Sequence, residues 1–172
     1  DGFYAALQNN DGSIFLGSQG SGLIQYKDGE YSSYKPAHGN IPKSIRSLLK
    51  IKNGEIFIGA SNAGLFHLRN DSVRRIQNDQ LLDATVMTMV EDSTGTVWIG
   101  TDGDGLFSLK DKVIRQFTRE DGLASNNIEA LALDPTGTLF IGTGQGLASL
   151  APSGSRFVSL PTLSNNHINA LL

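Results

Sequence analysis

The sequence predicts an all-β fold made of four copies of one repeat, on three observations. The same short string occurs four times, as DGSIFLGSQGSGL, NGEIFIGASNAGL, TGTVWIGTDGDGL and TGTLFIGTGQGL. Its landmarks keep one period: Gly12, Gly54, Gly95 and Gly137 are spaced by 42, 41 and 42 residues, and so are Gly17, Gly59, Gly100 and Gly142. No segment sustains the roughly 3.6-residue apolar period of a helix, whereas short β-branched and aromatic runs bounded by Gly, Asn and Asp recur throughout.

Each repeat divides into four strand signals. The first covers Phe3–Asn9, Ile45–Ile51, Val86–Asp92 and Ile128–Asp134. The second is an aromatic and aliphatic alternation at Ile14–Leu16, Ile56–Ile58, Val97–Ile99 and Leu139–Ile141. The third follows a Gly-Leu pair at Gly22, Gly64, Gly105 and Gly146, as in Leu65–Leu68 and Leu106–Leu109. The fourth carries paired apolar anchors at Tyr31/Tyr34, Val73/Ile76, Ile114/Phe117 and Phe157/Leu160. Turn chemistry separates them: Asn53-Gly54 and its counterparts put glycine where a hairpin needs positive φ. All five prolines fall between strands, where a lost N–H costs no ladder bond. Trp98 aligns with Phe15, Phe57 and Phe140, so all four are expected to be buried between repeats. One apolar residue of each link, Ile41, Leu82, Leu123 or Leu163, is expected to fill the gap between neighbours.

Four antiparallel strands per roughly 42 residues is the period of a β-propeller blade. Helical repeats of similar length need long amphipathic helices, for which there is no signal. The blades read as roughly 1–42, 43–83, 84–125 and 126–165, with 166–172 as the first strand of a fifth. A surplus strand has no place in a closed ring of four. The expectation is therefore an arc of a larger propeller of about seven blades, whose apolar end faces associate with further blades or with copies of the chain.

Composition agrees with blades buried on both faces. Charged residues make up 18 % of the chain, below the roughly 25 % of an ordinary soluble domain, and there are 20 glycines in 172 residues. The net charge is −3 and like charges do not cluster. That excludes the basic stripe of a nucleic-acid binder and a polybasic membrane anchor. No apolar run approaches the ~18 residues of a spanning helix, so direct membrane insertion by this segment is not expected. The absence of cysteine excludes disulfides, thiolate catalysis and cysteine-ligated zinc.

Candidate chemistry is sparse. Asp102-Gly103-Asp104-Gly105 resembles the start of a calcium loop, but no later ligands complete it, and it reads as a turn. Gly142-Thr143-Gly144-Gln145-Gly146 lacks the following helix of a phosphate loop and reads the same way. His38, His67 and His167 have no metal-binding or catalytic spacing. Neither a metal, a cofactor nor a catalytic residue is expected. One position breaks the packing rule. Just inside each first strand stand Tyr4, Arg46, Met87, Glu129 and Asn169, preceded by Gly2, Ser44, Thr85, Asn127 and His167. First strands line a propeller's channel. Drift of a solvated channel mouth is one reading of this variety, and a polar ligand pocket formed by Tyr4, Arg46, Glu129, Asn169, Asn127 and His167 is the other.

Three strings carry a family resemblance. Asn127-Ile128-Glu129-Ala130-Leu131, Val97-Trp98-Ile99-Gly100-Thr101 and Phe117-Thr118-Arg119-Glu120-Asp121-Gly122-Leu123 resemble the two-component regulator propeller. The resemblance runs along essentially the whole chain and is weakest where Asn78-Asp79-Gln80 replaces the Asp-Gly step. It implies the extracytoplasmic, periplasmic sensor region of membrane-bound histidine kinases, hybrid kinases or diguanylate cyclases. In such proteins the propellers precede a small β-sandwich and a membrane helix. The implied function is non-catalytic recognition of a small molecule or an oligosaccharide, relayed to a downstream kinase or cyclase. The alternatives are a propeller-scaffold lyase or lactonase-type hydrolase with its active site in other blades, and a protein-interaction scaffold. A scaffold of the WD type would bring Gly-His and Trp-Asp dipeptides, and neither occurs.

Overall fold

A computed structural model describes residues 2–152, 154, 156–160, 168 and 170. The chain forms two compact units, Asp1–Val86 and Met87–Leu172. The first unit holds two sheets, β1 (Phe3–Gln8), β2 (Ile14–Ser18), β3 (Leu23–Lys27) and β4 (Glu30–Ser33), then β5 (Ile45–Lys50), β6 (Ile56–Ala60), β7 (Leu65–Arg69) and β8 (Ser72–Arg75). The second unit repeats the plan with β9 (Val86–Glu91), β10 (Val97–Thr101), β11 (Leu106–Lys110) and β12 (Val113–Phe117), then β13 (Ile128–Leu133), β14 (Leu139–Thr143), β15 (Gly146–Leu150) and β16 (Val158–Ser159). Each sheet is a four-stranded antiparallel meander in chain order, the blade of a β-propeller. The only helical element among the described residues is a single turn at Arg119–Asp121, closed by a Thr118/Asp121 capping box.

Side chains and glycines dictate the turns. Between first and second strands, Asp92 Oδ1 accepts the N–H groups of Thr94 and Thr96 at 2.8 and 3.0 Å. Asp134 Oδ1 does the same for Thr136 and Thr138, at 2.9 Å each. Between third and fourth strands, two consecutive residues take positive φ: Asp28 and Gly29, Asn70 and Asp71, Asp111 and Lys112. That pair of angles matches the right-handed twist of a tight hairpin.

Neighbouring blades lock through a glycine in the second strand. A Cβ on Gly17 would stand 2.6 Å from Ile45 Cγ2, one on Gly59 2.6 Å from Val86 Cγ1, and one on Gly100 2.6 Å from Ile128 Cγ2. The bare backbone is thus a socket for the first apolar residue of the next blade, and Ile45, Val86 and Ile128 are fully buried in it. Gly142 meets Ile168 in the same way. Around these contacts the first unit buries Phe15, Leu23, Ile56, Ile58, Leu68 and Val73. The second buries Leu106, Leu123, Leu139, Ile141, Ala148 and Phe157.

Three packing expectations need correction. In the second link the buried residue is Leu81 rather than Leu82. Asn78 pulls Leu81 inward by accepting its N–H on both its carbonyl (3.0 Å) and its side-chain oxygen (3.1 Å), while the Leu82 carbonyl turns to the Arg75 guanidinium. Tyr31 is not an anchor but is 67 % exposed, its ring against Tyr26 at 4.7 Å. Phe15 and Phe57 are buried, whereas Trp98 and Phe140 are half-buried. Trp98 donates its indole N–H to Asp92 Oδ2 at 3.0 Å, which keeps one ring edge at the turn. Leu163 and most of the fifth first strand at 166–172 lie outside the described residues.

Candidate functional site

The variable position of the first strand sits on a β-bulge. Phe3 pairs with Ser18 and Ala5 with Gly17, leaving Tyr4 without a ladder partner. Arg46 is skipped in the same way between Ile45↔Ala60 and Ser47↔Gly59, and Glu129 between Ile128↔Thr143 and Ala130↔Gly142. A bulge takes its side chain out of the inward–outward alternation and re-aims it. The packing constraint on its neighbours does not reach that residue, which explains why the position varies while Ile45 and Ile128 hold the core.

In the first unit the bulges bring Tyr4 and Arg46 together. The Arg46 guanidinium carbon lies 4.3 Å from the centre of the Tyr4 ring, a cation–π geometry. The Tyr4 hydroxyl donates to Gln19 Oε1 at 2.7 Å and fixes the ring. Arg46 Nε is buried and has no hydrogen-bond partner among the described residues. In the second unit Asn127 and Glu129 border the turns that follow β10 and β14. Asn127 forms a bridge with Asp102, and its carbonyl accepts the Gly144 N–H at 3.3 Å. Glu129 Oε1 lies 3.4 Å from the Cβ position of Gly144. Asn169 and His167 lie outside the described residues. Two equivalents of Asn127 are hydrogen-bonded within the first unit: Ser44 Oγ reaches Ser61 Oγ at 3.3 Å inside the second blade, and the Thr85 hydroxyl donates to Asn62 Oδ1 at 3.0 Å.

His67 is a strand residue, stacked on Phe57 with ring centres 4.6 Å apart and its Nε2 2.8 Å from Glu55 Oε2. Glu55 also takes Arg69 Nε at 2.9 Å. Among the described residues no group of three or more His, Asp or Glu is placed to hold a metal, and no helix is long and apolar enough to cross a membrane. The turn carboxylates are held ionised. The Thr136 hydroxyl, then backbone N–H groups, lower the pKa of Asp134. At Asp92 burial opposes ionisation, but hydrogen bonds from Thr94, Trp98 and Thr96 outweigh it and the net shift is downward.

A second polar feature lies outside the repeated pattern. A cleft of about 340 Å³ opens in the first unit between its two blades, above Phe15 and Ile56. Asn9, Asn10, Gln25, Asn53 and Asn70 line it, together with the charged residues Glu55, Arg69 and Asp71. Each of these reads from sequence as turn or strand chemistry. Only a residue-by-residue comparison with the second pair of repeats reveals the accumulation of amides.

Residues 80–103, the link into β9 together with β9, β10 and the turn after them, match the two component regulator propeller family. No curated protein sequence matches the chain. Among solved structures, the extracellular domain of a B. thetaiotaomicron protein named as a hybrid two component system superposes with a TM-score of 0.79 at 21 % identity, over 93 % of this chain and 22 % of that one. A second such domain from the same organism gives 0.75 at 24 % identity, over 96 % of this chain and 24 % of that one. Virginiamycin B lyase from Staphylococcus aureus gives 0.70 at 16 % identity, over 94 % and 56 %. The chain spans about a quarter of the length of the two B. thetaiotaomicron domains. With its period, its four meander sheets and the match at residues 80–103, the chain is a β-propeller array carrying a two-component regulator propeller repeat.

Proposed function

We propose that this chain is a non-catalytic recognition segment of an extracytoplasmic sensor of the two-component type, and that its ligand meets the bulged first-strand residues. Arg46 carries the reading. A buried guanidinium N–H with no acceptor costs free energy in the empty protein. Stacked on Tyr4, the same group is a fixed donor for a carboxylate, a sulfate or another acceptor-rich group. The ligand class is thus a small acid or an acidic oligosaccharide, contacted by Arg46 and Tyr4, with Asn127, Glu129, His167 and Asn169 as further candidates. The sensor assignment is supported by the family match and by the names of the B. thetaiotaomicron neighbours. Occupancy of the site would be relayed to a downstream kinase or cyclase. Further blades, or a second copy of the chain, are the protein partners.

Isothermal titration of the chain with small carboxylates and acidic oligosaccharides tests this, alongside turnover assays with lyase and lactonase substrates. The expected result is binding without turnover, weakened at least tenfold by Arg46→Ala. Turnover of any substrate would favour the enzyme reading. Binding indifferent to both Arg46→Ala and Tyr4→Ala would remove the assigned site.

A further inference from the structure

We propose that a groove on the outer hairpin of the second blade, β7–β8, is a further binding site, for a tetrahedral oxyanion of the phosphate class. The two faces of this hairpin differ. Leu68 and Val73 pair across it and lie in the core. His67 pairs with Arg74 and Arg69 with Ser72, and strand alternation puts these four side chains on the opposite face. Directly opposed residues stand roughly 5 Å apart, so the four form the corners of a small rectangle. With Asn70 of the turn they line a groove of about 390 Å³. Every one of these residues is polar, and two carry a permanent positive charge.

Glu55 orients one side of the groove. His67 Nε2 lies 2.8 Å from one of its carboxylate oxygens, and Arg69 Nε donates to the other at 2.9 Å. Both oxygens are thereby engaged, and the His67 ring is held stacked on Phe57. The neighbouring carboxylate, Asp71, is turned to the Tyr34 hydroxyl of the first blade. Left over are the terminal N–H groups of Arg69, the whole Arg74 guanidinium and the Ser72 hydroxyl, which have no partner among the described residues. Two guanidinium groups, a hydroxyl and a carboxamide offer more donors than the two oxygens of a carboxylate can accept. A tetrahedral oxyanion presents three or four oxygens, and the planar fork of arginine matches them two at a time.

The repeat supplies the comparison. The hairpins β3–β4, β7–β8 and β11–β12 are closed by the same two-residue turn, between Lys27 and Glu30, Arg69 and Ser72, and Lys110 and Val113. Its first residue is Asp28, Asn70 or Asp111, with φ of 52°, 47° and 49°. The backbone accepts either residue type, so the carboxamide is not a requirement of the turn. In the third blade Asp111 lines the corresponding groove beside Lys110 and Arg115, where its carboxylate opposes an anion. In the first blade Glu30 occupies the register position of Ser72. Among the described residues no carboxylate lines the groove of the second blade. Arg46 and Tyr4 take no part in it, so the site stands whatever binds there.

The test is an NMR titration of the whole chain at fixed pH and ionic strength, following the His67 ring and the arginine guanidinium signals. Inorganic phosphate, phenyl phosphate and acetate are the three arms. Saturable movement of the His67 and Arg74 signals is expected with phosphate or its monoester, at least tenfold tighter than with acetate. The tighter of the two phosphates identifies the source, a free ion or an ester. Asn70→Asp restores the carboxylate of the other two hairpins at a φ they both adopt. It should weaken binding at least tenfold while the melting temperature stays within a few degrees. Arg74→Gln should weaken it as much, whereas Arg115→Gln and Arg46→Ala should leave it unchanged. No saturable shift with either phosphate, acetate binding as tightly, or affinity unmoved by Asn70→Asp or by Arg74→Gln would each overturn the proposal. So would an equal loss in Arg115→Gln, which would mark a general attraction to basic surface.

Discussion

Ile45 enters the space left by the missing side chain of Gly17, its Cγ2 standing 2.6 Å from where a Cβ would be. This contact joins the second strand of one blade to the first strand of the next. Packed interiors do not yield to an added methyl without displacing neighbours, at a cost of about 1–3 kcal/mol. Gly17→Ala should lower stability by about that amount. Gly2→Ala, with nothing within 4 Å of its Cβ position, should not change it measurably. Urea unfolding midpoints of the two variants check this, and equal midpoints would mean that the socket is loose.

Trp98 combines packing with a polar tether. Half-buried, it should lose about 2–3 kcal/mol on truncation to alanine, less than the ~3–5 kcal/mol of a fully buried large aromatic. Trp98→Phe keeps a ring, as in Phe15, Phe57 and Phe140, but removes the N–H that Asp92 accepts. A loss of about 1 kcal/mol is expected for it. Thermal denaturation of both variants separates the two contributions. If Trp98→Phe cost as much as Trp98→Ala, the hydrogen bond rather than the ring would dominate.

Acid should unfold the chain earlier than its ordinary carboxylates would suggest. The folded-state pKa values of Asp92 and Asp134 lie below their unfolded value of 3.8. Their contribution is therefore fully present above that value and disappears as the pH falls through the folded ones. Asp11, lowered chiefly by the Ser13 hydroxyl and then by Lys27, adds the same sign. Urea midpoints should be flat from pH 7 to about pH 5 and fall steeply below about pH 4. Asp92→Asn should shallow that fall. A slope unchanged in the variant would show that other carboxylates carry it.

Leu16 and Ile58 share one register position, in the first and second blades, yet Ile58 is fully buried and Leu16 half-exposed. The first blade covers Ile58, whereas among the described residues no other blade packs on Leu16, Ile24, Phe3 and Tyr31, which form an apolar patch around a hollow of about 440 Å³. A second copy of the chain is the expected occupant. Sedimentation velocity should show concentration-dependent association, abolished in the double variant Leu16→Lys, Ile24→Lys. A wild-type chain that sediments as one species at every concentration would contradict it.

Much of this molecule was legible in the residues. The period of Gly17, Gly59, Gly100 and Gly142 located the blades, because a close backbone approach admits glycine and little else. The alternation of Ile56, Phe57 and Ile58 located a strand buried on both faces. The variable first-strand position was legible as an exception to packing, since Tyr4, Arg46 and Glu129 interrupt a constant frame. Leu82 was misassigned because the choice between two adjacent leucines depends on which one a turn draws inward, and Asn78 decides that through hydrogen bonds a pattern does not display. Trp98 was overestimated as a core residue because alignment fixes the direction of a side chain but not the polar partner waiting at its edge.

The sequence alone determined fold class, repeat length and strand order, because these follow from local turn chemistry and from the period of the apolar residues. Tertiary structure decided what those residues meet. The bulges that aim Tyr4 at Arg46, the burial of Arg46 Nε and the meeting of carboxamides from two blades across one cleft depend on contacts between residues about 20 to 60 positions apart. No local preference encodes such distances. They arise when one blade closes on the next, and that closure is driven by apolar burial, which is non-directional and leaves the polar groups to be placed by the geometry it produces.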